Sequence, residues 1–379
     1  MMNRRERYLE TMLFGAPDKI PFAPGGPRES TLRTWRAQGL PEDANWFETL
    51  KKKIEFEDDP PGKPVPPLGV SFLMNPMFEE KVIEKREQSL VVQDWKGNVC
   101  EILDVYDVSY LRQAKDFVTR RWLKLPVESR KDWEAMRARY DTKDPARFPQ
   151  DFDARCVAWR GREDVLGVAV HGPYWQLREW VGAEQLCLLF LTDPDFVRDM
   201  IRFWADFVST MLAEILRRVD IDHFFINEDM AFKEHSFISP DMAREFLAPC
   251  WRQWVEQARA GGARVLEVDS DGYAGGLIPV WIEAGFNCSS PNEVAAGCDV
   301  VEFRERFGRK MALRGGIDKR LMAKGGRTLR DELERIIPAM LKEGGFIPGC
   351  DHGVPPDVSW PHFVEYARRL AELTGWVKG

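Results

Sequence analysis

From residue 166 onward the apolar residues follow two periods in alternation. Short continuous apolar runs at 166–171, 222–227, 264–269, 286–289, 311–314 and 346–349 have strand length. Between them the spacing is helical. Phe196, Val197, Met200, Ile201, Trp204, Phe207, Val208, Met211, Leu212, Ile215, Leu216 and Val219 recur with a period of 3.6 after Asp193-Pro194, an N-cap followed by proline in the first turn. Ser239-Pro240 opens a second helix by the same chemistry, reaching about residue 260. Further helices are expected over 277–284, 299–307 and 361–373, with another starting at Thr328, where Asp331 gives capping-box spacing.

The earlier part of the chain is less regular. A helix is expected up to Phe14, stopped by Gly15, and a first strand near residue 20. Residues 60–67 read as a stiff proline-rich loop. Residues 78–102 read as antiparallel strands turning near 87–89 and 96–98, and 133–140 as a short helix. Seven strands alternate with helices, and 102–106 is the candidate for an eighth. The expectation is an α/β (β/α)8 TIM barrel, one domain over 1–379, with a large β-containing insertion over 60–150 after the first strand. An open doubly wound sheet is the rival, but no GxGxxG follows the first strand.

Composition adds constraints. Hydrophobic residues make up 44% and charged residues 30%, ordinary for a globular protein. A net charge of −7 with interleaved signs gives no footing for nucleic acid. No apolar run has the length of a membrane span, and the N-terminus lacks the apolar core of a signal peptide. Seven scattered cysteines without CxxC fit a reducing, cytoplasmic compartment. Fourteen tryptophans fit a large core or an aromatic pocket.

Candidate chemistry collects where the strands end. These residues are His171, Glu228 and Asp229, Glu267, Asp269 and Asp271, Glu293, and Cys350 and His352. In a barrel all of them border one mouth. Residues two apart on a strand point the same way, so Glu267 projects with Asp269, and Cys350 with His352 if the chain stays extended. Two such pairs offer O, O, S and N ligands, a set suited to zinc rather than to magnesium or calcium. Plainer roles compete. Asp269 and Asp271 fit a helix cap, with Asp271 the better candidate beside Gly272. Glu228 and Asp229 fit a surface pair with Lys233, and Cys350 a small buried residue.

Several segments resemble the uroporphyrinogen decarboxylase superfamily over nearly the whole chain. They are 3–8 with 17–21, His171-Gly-Pro-Tyr-Trp175, Ile238-Ser-Pro240 and the Cys350 loop. The resemblance implies a (β/α)8 barrel and one of two activities. One branch decarboxylates uroporphyrinogen III without a cofactor, and the other moves methyl groups to or from cobalamin on a corrinoid protein, commonly with zinc. The arginine-rich loop of the decarboxylase branch is absent from 24–33 as a whole, where one arginine, of Arg28 and Arg33, offers a match. In thiol-methylating relatives a His-x-Cys pair and a later Cys hold zinc. Here Glu267-x-Asp269 and Cys350 take those places.

The resulting expectation is a zinc-dependent methyltransferase. It takes a methyl group from a phenyl methyl ether or a methylated amine to the cobalamin of a corrinoid partner. Zinc would sit on Asp269, Cys350 and His352 with Glu267 or Glu293, and His171 or Asp229 would protonate the leaving group, with Glu228 beside them. Superfamily members are often dimers, so a homodimer is a candidate state. The alternatives are uroporphyrinogen decarboxylation and a non-catalytic relative that binds a ligand at the same mouth.

Overall fold

A computed structural model describes residues 1–57, 65–113 and 116–377. Part of the proline-rich run, 60–64, lies outside the described residues. The N-terminal helix Arg4–Met12 starts from a capping box in which Asn3 and Glu6 satisfy each other's backbone N–H. Four antiparallel strands follow, β1 (Lys81–Lys85), β2 (Ser89–Gln93), β3 (Val99–Leu103) and β4 (Arg121–Lys124), paired in that order. The expected eighth barrel strand at 102–106 is corrected here. Its apolar start belongs to β3, which is paired on both sides with β2 and β4.

Six parallel strands form the second sheet in sequential order. They are β5 (Gly167–His171), β6 (His223–Asn227), β7 (Val265–Asp269), β8 (Cys288–Ser290), β9 (Ala312–Ile317) and β10 (Phe346–Cys350). Helices separate them, as parallel pairing requires. The long one, Pro194–Leu216, is capped by Asp193 and buries the stripe that the 3.6 period marks. Nearly every residue of β7 and β10 is buried, because helices cover one face and the barrel interior the other. The segment expected as the first strand runs beside β10 without a regular ladder. Cys350 N donates to Pro24 O at 3.4 Å, and Pro27 bridges Val354.

The helix expected from Thr328 begins earlier, at Gly326, without a side-chain cap. Below the strands, Leu9 and Met12 of the N-terminal helix pack against Val265, Cys288, Ala312 and Ile347, closing the floor of the sheet. The tryptophans are chiefly core. Trp35, Trp133, Trp180, Trp204, Trp251, Trp254 and Trp281 are among the largest fully buried side chains. Among the described residues no helix is long and apolar enough to cross a membrane.

Candidate functional site at the strand ends

Register places the polar strand ends in a row. His171 lies beside Asn227, Asn227 beside Asp269, and Asp269 beside Ser290. Two residues earlier, Phe225, Glu267 and Cys288 form the row beneath. A cavity of about 270 Å³ opens above them, lined by Phe225, Glu267, Asp269, Ser290, Arg314, Ile347 and Cys350 among others.

Glu267 and Asp269 project together, yet their environments push them in opposite directions. Glu267 is wholly buried, and Arg314 Nη1 reaches its two oxygens at 3.1 and 2.8 Å. Nε2 of His223 lies 2.8 Å from Oε2, at ion-pair distance but without the alignment of a hydrogen bond. Burial alone would raise the Glu267 carboxyl. The Arg314 charge, then His223, outweighs it and holds the group well below the usual carboxylate range.

Among the described residues no cation contacts Asp269. Its Oδ2 accepts from Ser290 Oγ at 2.6 Å. Burial pushes its carboxyl up to about 7. The Ser290 hydrogen bond opposes this, and the charges of Glu267, Asp271 and Asp229 add to it. A carboxyl that exchanges protons near neutral pH, half-buried on a cavity wall, is equipped for general acid–base work. Asn227, its neighbour in the row, carries a buried Oδ1 with no hydrogen-bond partner in the described structure.

The rim is a belt of charge. Asp271 does not cap a helix, since the next one starts at Ile278. Its Oδ2 lies 3.0 Å from His352 Nε2. Gly353 N donates to His352 Nδ1 at 2.7 Å, so the ring proton sits on Nε2 and points at Asp271. That hydrogen bond raises the His352 pKa. Arg28 approaches the same Nδ1 at 3.3 Å. Asp229 pairs with Arg178 at 2.9 Å rather than with Lys233, and burial raises its carboxyl.

Glu228 lies elsewhere. It is fully buried behind β6, where it accepts from Trp251 Nε1 at 2.6 Å and from Trp175 N at 3.1 Å. Its carboxylate fills the space that a Cβ on Gly172 would need, 2.3 Å away, so glycine is required there. Burial pushes it up to about 8, leaving a neutral acid at the start of helix Pro173–Val181. The position is structural, and it departs from the expected catalytic role.

Its titration makes a prediction. Because the folded pKa exceeds the unfolded value, stability is fully present below about pH 4.3 and declines as pH rises to about 8. Glu228→Gln should flatten that decline in thermal melts between pH 5 and 8 and leave activity at pH 7 within about twofold.

His171 is half-buried and donates at Nδ1 to Gln176 Oε1, 3.1 Å away. Burial pushes it down to about 4, so at pH 7 the ring is neutral and holds no proton in excess to give.

The five expected zinc ligands do not come together. Among the described residues no group of three or more His, Cys, Asp or Glu side chains forms a metal-holding cluster. Each has another partner or state. Glu267 is held by Arg314, Asp269 by Ser290, and His352 by Asp271. Glu293 takes Lys319 Nζ at 2.8 Å and Gly272 N at 3.1 Å. Burial pushes the Cys350 thiol up to about 12. The expectation fails at a definite point. The extended chain ends at Cys350, and His352 sits in a bend that turns it to the rim instead of alongside Cys350. As placed, these side chains do not form a zinc site among the described residues.

Ser290, Arg314 and Asn227 were not singled out in the sequence. The available signal was parity, because Arg314 stands in the register row of Ser290 on a buried strand.

Parallel strands alternating with helices, closed below by a helix and polar where the strands end, define an enzyme-type α/β barrel. A family model described as "Uroporphyrinogen decarboxylase (URO-D)" matches residues 123–369. The chain belongs to the uroporphyrinogen decarboxylase family.

Relatives called uroporphyrinogen decarboxylase include one from Pseudomonas fluorescens, 30% identical over 77 residues, which covers 20% of this chain and 22% of that protein. Another, from Magnetococcus marinus, is 30% identical over 134 residues, covering 33% of this chain and 37% of that one. The matches thus span between about a fifth and two fifths of these relatives' lengths. Among solved structures, one titled "methyltransferase from Methanosarcina mazei" shares the fold at a TM-score of 0.59 and 12% identity, over 99% of both chains.

Proposed function

We propose that the chain is a methyltransferase that moves a methyl group from a small methylated donor, a phenyl methyl ether or a methylated amine, to the cobalamin of a corrinoid partner protein. The observation that carries this reading is the small mouth cavity with the Asp269 carboxyl on its wall. At about 270 Å³ it lies just under the span of roughly 300–1,000 Å³ usual for drug-sized ligands, so it suits a compact donor and is overfilled by a tetrapyrrole. The fold likeness to a protein titled methyltransferase points the same way.

Cobalamin on the partner supplies the nucleophile that accepts the methyl group. This chain's residues do the rest. Phe225 and Ile347 offer apolar surface for the donor's body. Ser290 fixes the Asp269 carboxyl. As the bond from methyl carbon to heteroatom breaks, its electron pair stays on the heteroatom, which takes the proton from Asp269. Asp269 then recovers a proton from solvent at the open mouth. General acid help of this kind contributes about 10²–10⁴-fold.

The decarboxylase reading lacks its substrate grip. Arg28 is turned to His352, and Arg33 lies 3.6 Å from Glu29 and 3.7 Å from Asp116. The test is incubation with cob(I)alamin and a panel of methoxyaromatics and methylated amines. Methylcobalamin should form with at least one donor. Carbon dioxide release from uroporphyrinogen without methylcobalamin would reverse the choice.

A further inference from the structure

The four-stranded antiparallel sheet has two open edges. Among the described residues β1 pairs with β2 alone, and β4 with β3 alone. All five residues of β1 are exposed, and its centre is apolar, with Val82 at 49% and Ile83 at 52% exposure. The unpaired N–H and C=O groups of such an edge are a template for another strand. No proline interrupts β1.

The charges along this edge are mirrored. Laid antiparallel on its own copy, with a twofold axis between Val82 and Ile83, the segment 79–86 sets Glu79 opposite Arg86, Glu80 opposite Lys85, Lys81 opposite Glu84 and Val82 opposite Ile83. Every charge in the segment then meets its opposite. β4, the other edge, carries Arg121 and Lys124 and no acid, so it repels its own copy.

The pleat fits the same register. Residues that oppose each other in an antiparallel pair share a face of the sheet. About a twofold axis, Lys81 and Glu84 must therefore lie on one face, which a regular strand denies to residues three apart. β1 meets the condition through a bulge. Its register against β2 shifts between Val82 and Glu84, so Lys81 stands opposite Gln93 and Glu84 opposite Val91, two residues of one face. The partners of Lys81 and Glu84 within the chain are exposed neighbours, Glu79 at 3.5 Å and Arg86 at 2.9 Å. Surface pairs of this kind contribute little, and a facing strand replaces them at little cost.

We propose that β1 is a self-association edge, at which two copies of this chain pair antiparallel about a twofold axis and join their four-stranded sheets into one. The occupant is a second copy because the segment complements itself in both charge and face.

Sedimentation equilibrium of the full chain tests this, with thermal melts to check that each variant is folded. The wild type should show a monomer–dimer equilibrium. Glu84→Lys sets like charges across the seam at both symmetry-related contacts, and should weaken the dimer about tenfold or more. Lys81→Glu should do the same. The double substitution Lys81→Glu with Glu84→Lys restores opposite charges and should restore the dimer. Mixing the two single variants should also give a dimer, since one chain then offers two cations and the other two acids. A wild type that sediments as a monomer at every concentration, a dimer that Glu84→Lys leaves intact, or single variants that stay apart when mixed would overturn the proposal.

Discussion

Asp269→Asn lowers the rate of methyl transfer by about 10²–10⁴-fold while the protein stays folded. The substitution keeps the shape of the side chain and an oxygen to accept from Ser290 Oγ, now 2.6 Å from Oδ2. It removes the exchangeable proton, and with it the carboxyl that burial pushes up to about 7. It also removes repulsion from Glu267, Asp271 and Asp229, so the melting temperature should hold or rise, most clearly above pH 7. Activity and a thermal melt on one preparation separate the outcomes. A rate within a few fold of wild type would take the proton step away from Asp269.

Arg314→Met should cost about 3–5 kcal/mol at neutral pH, because it strands a fully buried carboxylate without its cation. In the wild type the folded pKa of Glu267 is depressed. That contribution is complete above the unfolded value of about 4.3 and is lost as pH falls below it. Without Arg314, burial dominates and the folded pKa is raised. The variant should then be closest to wild type at acid pH and fall behind as pH rises from about 4.3. Urea unfolding at pH 5 and pH 8 measures this reversal. The double substitution Glu267→Gln with Arg314→Met should recover much of the loss, since removing both charges leaves none unpaired. Recovery would show that the single variant fails through the stranded charge.

The sequence carried most of the parallel sheet. Buried strands read as continuous apolar runs, and the helices between them carry their own start signals, as Asp193-Pro194 does. It misplaced 102–106 because an apolar run does not say which sheet will pair with it, and β3 pairs inside the hairpins. At the site, the two-residue period correctly put Glu267 and Asp269 on one side of β7. It did not tell them apart. One meets Arg314 two strands along the sheet and the other meets Ser290 on the next strand, contacts fixed by register between separate strands. The same period misled for His352, because it holds only while the chain stays extended, and β10 ends at Cys350. Glu228 and Asp229 differ by one residue, and that residue decides between a buried helix start and the open rim.

The most direct measurement is the pH dependence of methylcobalamin formation in a single turnover, with a donor that the panel identifies. Rates should be highest at acid pH and fall through an inflection near 7, following the protonated form of Asp269. Asp269→Asn should be slow and flat across the same range. A wild-type rate that stays level or climbs through pH 7, or an Asp269→Asn profile that matches the wild type, would contradict a methyl transfer assisted by this carboxyl at the barrel mouth.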